Sequence, residues 1–267
     1  MKKIILSGIA LFSLTYVQAQ SKAGTVTYDR ISKLQISFSG MPNGMEQQMP
    51  TSRTDKYELL YGNNMSLWKQ AENENNDDGS FHTEGGAQIR MVVAGSNDVL
   101  FTHLESGKKV ESRELMDKTF IVDDTISKLK WKMSGETKTI LGHPCMKALA
   151  TRTSKRTMMN MDNGKMERKE IDDTSAIVAW FATDIPVAAG PGEYQGQLPG
   201  LILEMDIKDG TQVFKATSIS EKVDLSAIKE PTGKKHYTAA EFREEREKML
   251  SEMQQNGGGG RRIFRMN

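Results

Sequence analysis

Leu198-Pro199-Gly200-Leu201-Ile202-Leu203-Glu204-Met205-Asp206-Ile207 is the stretch that sets the architecture. Pro199 fixes φ and removes a backbone donor, so it belongs at a turn or strand start. Gly200 permits a left-handed turn or a close backbone approach. Leu201, Leu203, Met205 and Ile207 then recur at every second position, opposite Ile202, Glu204 and Asp206. Period two is the mark of a strand with one face turned to a core. In this reading Leu198 covers the turn from outside.

The same period runs through the rest of the chain. Val26, Tyr28, Leu34, Ile36 and Phe38 share a parity, interrupted around Arg30 and Ile31, and predict a long first strand or a bent hairpin. Leu129, Trp131 and Met133 alternate with Lys128, Lys130 and Lys132, which predicts a half-buried strand. Further strands are predicted over 55–61, 65–68, 88–93, 99–104, 119–122, 137–141, 146–151, 176–183 and 211–219. Turn residues such as Gly62-Asn63-Asn64 and Asp209-Gly210 separate most of them. One polar and one apolar face is the signature of antiparallel sheets. No strand–helix–strand alternation occurs, which argues against a doubly wound nucleotide fold.

One segment has a different rhythm. Thr238-Ala239-Ala240-Glu241 is a capping box that opens a helix over about 238–255. Phe242, Met249 and Met253 form its thin apolar stripe, and Gly257–Gly260 ends it. The expected fold is mainly β: a curved antiparallel sheet or half-open β-barrel with a C-terminal α-helix, in outline like periplasmic lipoprotein carriers. Domain organisation follows as a signal peptide over 1–19, one domain over 20–256, and a Gly-rich basic tail over 257–267.

The N-terminus carries the address. Lys2 and Lys3 precede an uncharged, mostly apolar run from Ile4 to Val17, and Val17-Gln18-Ala19 offers small or short residues for cleavage after Ala19. Removing 19 of 267 residues leaves 248, and losing two lysines takes the net charge from +1 to −1. The expected location is exported, periplasmic or associated with the outer envelope. The mature chain carries no apolar run of the roughly 20 residues that a helical span needs, and mean hydropathy is −0.53.

Composition narrows the chemistry. Thirty-six basic against 35 acidic residues lack the electrostatic footprint of a nucleic-acid binder. The single cysteine, Cys145, excludes an internal disulfide framework. It reads as a buried small hydrophobe. His143 shares its strand face at i and i+2, but no third orienting group is identifiable in sequence. HExxH, GxSxG and the phosphate-cradling glycine loops do not occur, and the four histidines are scattered. Glu74, Asn76, Asp78 and Gly79 imitate part of a calcium loop, but Gly85 stands where the bidentate Glu is required, so 72–79 reads as a solvated loop. No catalytic residue and no cofactor is expected.

Methionine is the compositional oddity, at 17 residues. Met41, Met45 and Met49 recur every fourth residue, and Met158, Met159, Met161 and Met166 cluster in what reads as a loop over 157–170. Thioether sulfur is soft and needs no deprotonation, so the second cluster is a candidate Cu(I) site in an oxidising compartment.

The region around the opening stretch is also distinctive as a motif. Trp180-Phe181-Ala182-Thr183-Asp184-Ile185-Pro186 leads to Gly190-Pro191 and then to Gly196-Gln197-Leu198-Pro199-Gly200-Leu201-Ile202. With Gly142-His143-Pro144-Cys145-Met146-Lys147-Ala148 upstream, it resembles the GLPGLI family, exported envelope proteins of Gram-negative bacteria without an established activity. Gln197 departs from that hexapeptide's first Gly, which bears on any positive-φ requirement there. The resemblance implies a non-catalytic binding or accessory protein, presenting an apolar concave surface to a lipid, peptide or envelope protein. Leu198, Pro199, Gly200, Leu201 and Ile202 are then either a structural bend or the lining of a ligand mouth, with Trp180 and Tyr194 as neighbours.

Overall fold

The computed structural model describes residues 23–34, 51–71, 80–82, 88–90, 97–162 and 165–256, and their side chains apart from those of 80–82, 88–90, 156–162, 165–170 and 253–256. The leader, Met41, Met45 and Met49, the acidic loop 72–79 and the tail 257–267 lie outside the described residues.

The strands are β1 (Gly24–Lys33), β2 (Ser52–Gly62), β3 (Met65–Gln70), β4 (Ser80–His82), β5 (Gln88–Arg90), β6 (Val99–His103), β7 (Lys108–Leu115), β8 (Lys118–Thr125), β9 (Lys132–Ile140), β10 (His143–Asp162), β11 (Lys165–Ala182), β12 (Ile202–Ile207), β13 (Gln212–Ser220) and β14 (His236–Thr238). Helix α1 (Ala239–Asn256) closes the described chain. Twelve strands form one sheet in the order β14-β8-β7-β6-β3-β2-β1-β13-β12-β11-β10-β9, while β4 and β5 pair separately. Every ladder is antiparallel except β14 on β8, so the sheet is mixed.

Tight turns make this meander possible. Asn63-Asn64, Met116-Asp117 and Leu141-Gly142 each place two consecutive residues at positive φ between paired strands. That is the turn whose twist matches the strands it joins.

The sheet must curl. Strands β8 and β9 stand ten steps apart in the sheet order, about 48 Å if laid flat at ~4.8 Å per strand. Only residues 126–131 connect them, and seven chain steps reach at most about 25 Å. The strands therefore wrap round and bring opposite ends of the sheet within reach, without closing into a barrel.

The inner face holds the core. Val26, Tyr28, Leu59, Trp68, Leu100, Ile177, Ala179, Phe181, Leu203, Met205 and Phe214 belong to one buried cluster spanning β1–β3, β6 and β10–β13. The chain between β11 and β12 packs into this cluster with Val187, Ala189, Tyr194, Leu198 and Leu201. At the other end of the sheet Phe242 of α1 packs on Phe120 of β8, ring centroids 5.3 Å apart, beside Leu115 and Val122.

Three expectations are corrected. Of the strand expected over 128–133, residues 128–131 are not a strand and β9 begins at Lys132, because Gln197 takes the polar groups that a strand would have offered to a ladder. The supposed loop 157–170 is the far end of the β10–β11 hairpin, paired up to Asp162↔Lys165. Strand β7, absent from the expected set, carries a run of charges (Lys-Lys-Val-Glu-Ser-Arg-Glu-Leu) in which Val110 and Leu115 are the only buried apolar residues and Lys109 is buried beside them.

Candidate functional site

Residues 183–201 form a loop that satisfies its own backbone while crossing the inner sheet face. Ala189 N–H donates to Val187 O at 2.7 Å, Gly196 N–H to Ala188 O at 2.6 Å, and Leu201 N–H to Ile185 O at 3.1 Å. Ile202 N–H reaches Ala189 O at 3.0 Å, and Ala182 N–H reaches Leu201 O at 2.8 Å. A buried loop survives only with such internal pairing. The Tyr28 hydroxyl also ties it to β1 by donating to Ile202 O at 2.6 Å.

Small residues set the closeness of this packing. A Cβ on Gly190 would stand 2.8 Å from Ile202 Cδ1, and one on Gly200 would collide with the Ala182 carbonyl oxygen. Gly200 therefore serves close approach; the left-handed conformation belongs to Gly196, at φ +71°. Leu198 is buried in the core, not outside the turn as expected, and Pro199 is the exposed apex.

Gln197, which stands where the hexapeptide has glycine, has a definite task. Its Oε1 accepts from Leu129 N–H at 2.9 Å and from Trp131 Nε1–H at 3.3 Å, and its Nε2 donates to Ser127 O at 3.0 Å. It thus holds the short connection that joins the two ends of the sheet. Gln195 is fully buried: Ser66 Oγ donates to its Oε1, and its Nε2 donates to Gly192 O at 3.1 Å.

Leu198, Gly200, Leu201, Ile202 and Tyr194 come together in this core. Trp180 is not among the buried residues but is half-buried and packs against this core; Lys138 Nζ sits 4.3 Å and Lys147 Nζ 5.7 Å from its ring centroid. Those ammoniums pair with Glu204 at 2.8 Å and Glu136 at 2.9 Å. Burial, followed by the Glu193 carboxylate, pushes the Tyr194 phenol up to about 12, against the opposing pull of Arg152.

The third group that sequence did not supply beside Cys145 and His143 is Asp184. His143 Nδ1 lies 2.9 Å from Asp184 Oδ2. The thiol does not share in this pair: Cys145 Sγ donates to His143 O at 3.4 Å. Burial raises its pKa, against a backbone hydrogen bond from Ile140 that lowers it. Burial thus disfavours the thiolate that a nucleophile needs.

Among the described residues, no group of three or more His, Cys, Asp and Glu could hold a metal. The methionine cluster lies on the β10–β11 hairpin: Met161 is directly opposite Met166, Met158 opposite Lys169 and Met159 opposite Arg168. No helix of the described residues is long and apolar enough to cross a membrane.

The class of protein that fold and site define is a curled, mainly β domain whose inner face is filled by its own β11–β12 connection. A family model described as "Protein of unknown function (Porph_ging)" matches residues 131–204, the segment from β9 to β12. No curated protein matches the chain. Two crystal structures of PNGF-II, in space groups C2 and P21, are similar at 16% and 17% identity, each with a TM-score of 0.48 over 83% of this chain and 32% of that one. The chain therefore covers about a third of the length of those structures.

Proposed function

We propose that this chain is an exported, non-catalytic binding or accessory protein of the bacterial envelope, of the GLPGLI type. It offers the part of the apolar concave side that its own β11–β12 connection leaves uncovered to a lipid, peptide or protein partner. The observation that carries this reading is the use made of the Leu198–Ile202 segment. Its side chains serve packing, and the ionisable groups around it are engaged in pairs such as His143–Asp184, Lys138–Glu204 and Arg152–Glu193. Sheet, loop and aromatic cluster together form a packed apolar frame, which suits recognition by shape.

A second reading keeps Met158, Met159, Met161 and Met166 as a soft-metal site. Favouring it is the register that sets Met161 opposite Met166 near the end of the hairpin.

Native mass spectrometry of the protein purified from its own envelope tests both. The expected spectrum shows a polypeptide beginning at Gln20 with a lipid or peptide adduct or a co-purifying partner. A bare polypeptide that acquires none of these overturns the first reading, and a copper adduct transfers support to the second.

A further inference from the structure

The other end of the inner face carries an arrangement that packing alone does not explain. Arg30 of β1 and Arg53 of β2 converge on one carboxylate: Arg30 Nη2 lies 2.9 Å from Asp55 Oδ2, and Arg53 Nε lies 2.7 Å from Asp55 Oδ1. Asp55 is only 5% exposed, while the two arginine side chains are 21% and 23% exposed. Two guanidiniums against one carboxylate leave an excess positive charge. Arg30 Nε and Arg53 Nη1 are buried donors without a partner among the described residues. A buried donor left unpaired is costly, and two on one cluster mark a site lacking a component.

The surroundings define what is missing. Asp29 is not the absent partner, since it precedes Arg30 by one residue and alternation turns it to the opposite face, in register with Lys56 and Lys215. The Arg30 guanidinium lies over the Tyr57 ring, 4.6 Å from its centroid. Tyr57 in turn stacks on Trp68 at 4.9 Å with planes 7° apart, and Trp68 meets Tyr28 and Phe214. Stacking fixes the plane of one fork, and Asp55 fixes the other. A guanidinium fork presents parallel donors at the spacing of two oxygens on a carboxylate or phosphate. Neither arginine side chain is fully covered, so an anion can approach the pair from solvent, although Arg30 Nε and Arg53 Nη1 are themselves buried.

We propose that Arg30 and Arg53, held by Asp55 and Tyr57, form an oxyanion seat that binds a carboxylate or phosphate group at the rim of the curled sheet. Asp55 is a positioning residue; the two guanidiniums make the contacts. The seat is independent of the partner and copper readings above, because neither of those uses these residues.

The test titrates the mature full chain with inorganic phosphate and, separately, with acetate, at constant ionic strength. The readout is the Nε–Hε resonances of Arg30 and Arg53. The expected result is saturable movement of both, at least tenfold weaker binding in Arg53→Lys, loss of binding in Arg53→Gln, and no change in Lys222→Gln. Arg53→Lys keeps the charge that balances Asp55 and so guards against simple unfolding, with the melting temperature recorded for each variant. A parallel arm uses phosphatidylglycerol vesicles against phosphatidylcholine vesicles: Arg53-dependent binding to the former alone identifies a lipid phosphate as the source, and phosphate binding without it identifies a free anion. Movement that is linear in concentration, reproduced by chloride, or unchanged in a folded Arg53→Gln variant overturns the proposal.

Discussion

Gly200 shows how one missing carbon governs this fold. A side chain there would meet the carbonyl oxygen of Ala182, a backbone atom, and its Cβ would stand 3.0 Å from Phe181 Cδ2. A flexible side chain could swing away; a carbonyl at the end of a paired strand cannot. Gly200→Ala is therefore expected to lower stability by about 3 kcal/mol, at the upper end of overpacking costs, with urea unfolding as the measurement. An unchanged midpoint would show that the loop can lift without penalty. The sequence allowed two roles for this glycine, and only the backbone path separates them, because a Leu-Pro-Gly-Leu string contains no record of what lies across from it. Leu198 makes the same point. Beside an exposed proline it reads as a cover for the turn, yet it is buried because the whole loop folds inward.

At the scale of elements, the helix start is the clearest local signal and has the geometry it promises. Thr238 N–H donates to Glu241 Oε2 at 2.7 Å, and Glu241 N–H donates to Thr238 Oγ1 at 3.2 Å. Thr238→Ala should cost about 1 kcal/mol and speed amide exchange in the first turn of α1. The Glu241 carboxyl is held below the usual range by its hydrogen bonds from the Thr238 backbone and hydroxyl. A carboxyl whose folded pKa is depressed adds stability above its unfolded pKa and loses it as pH falls through the folded value. Docking of α1 is thus expected to loosen on acidification through and below the ordinary glutamate range, seen as sharpening of the Phe242 ring resonances. A Glu241→Gln variant should abolish that dependence. Capping boxes are legible because both partners lie within one turn of each other. Strand β7 and the outer half of the β10–β11 hairpin were not legible for the opposite reason. Their pairing comes from neighbouring strands, so a charged or Met-rich stretch becomes a strand through hydrogen bonds that its own residues do not announce.

For the molecule as a whole, the seam between the sheet's two ends is decisive. Residues 126–131 draw that seam together, and Gln197 clamps them with three hydrogen bonds. Gln197→Gly is expected to cost about 2 kcal/mol, the scale of losing buried hydrogen bonds while stranding a backbone donor. Exchange at the Leu129 amide should rise with it, while exchange in β1 and β13 stays unchanged. Uniform acceleration throughout the sheet would instead mean that the curl depends on the clamp as a unit. Sequence alone determined that the chain is built from alternating strands with one helix at its end, because side-chain period and capping are properties of neighbours along the chain. Tertiary structure alone decided that the strands form one curled sheet of twelve, that the β11–β12 connection fills its inner face, and that Arg30, Arg53 and Asp55 meet at the rim. Those relations join residues that are distant along the chain, and cross-strand register, which no local pattern encodes, brings them into contact.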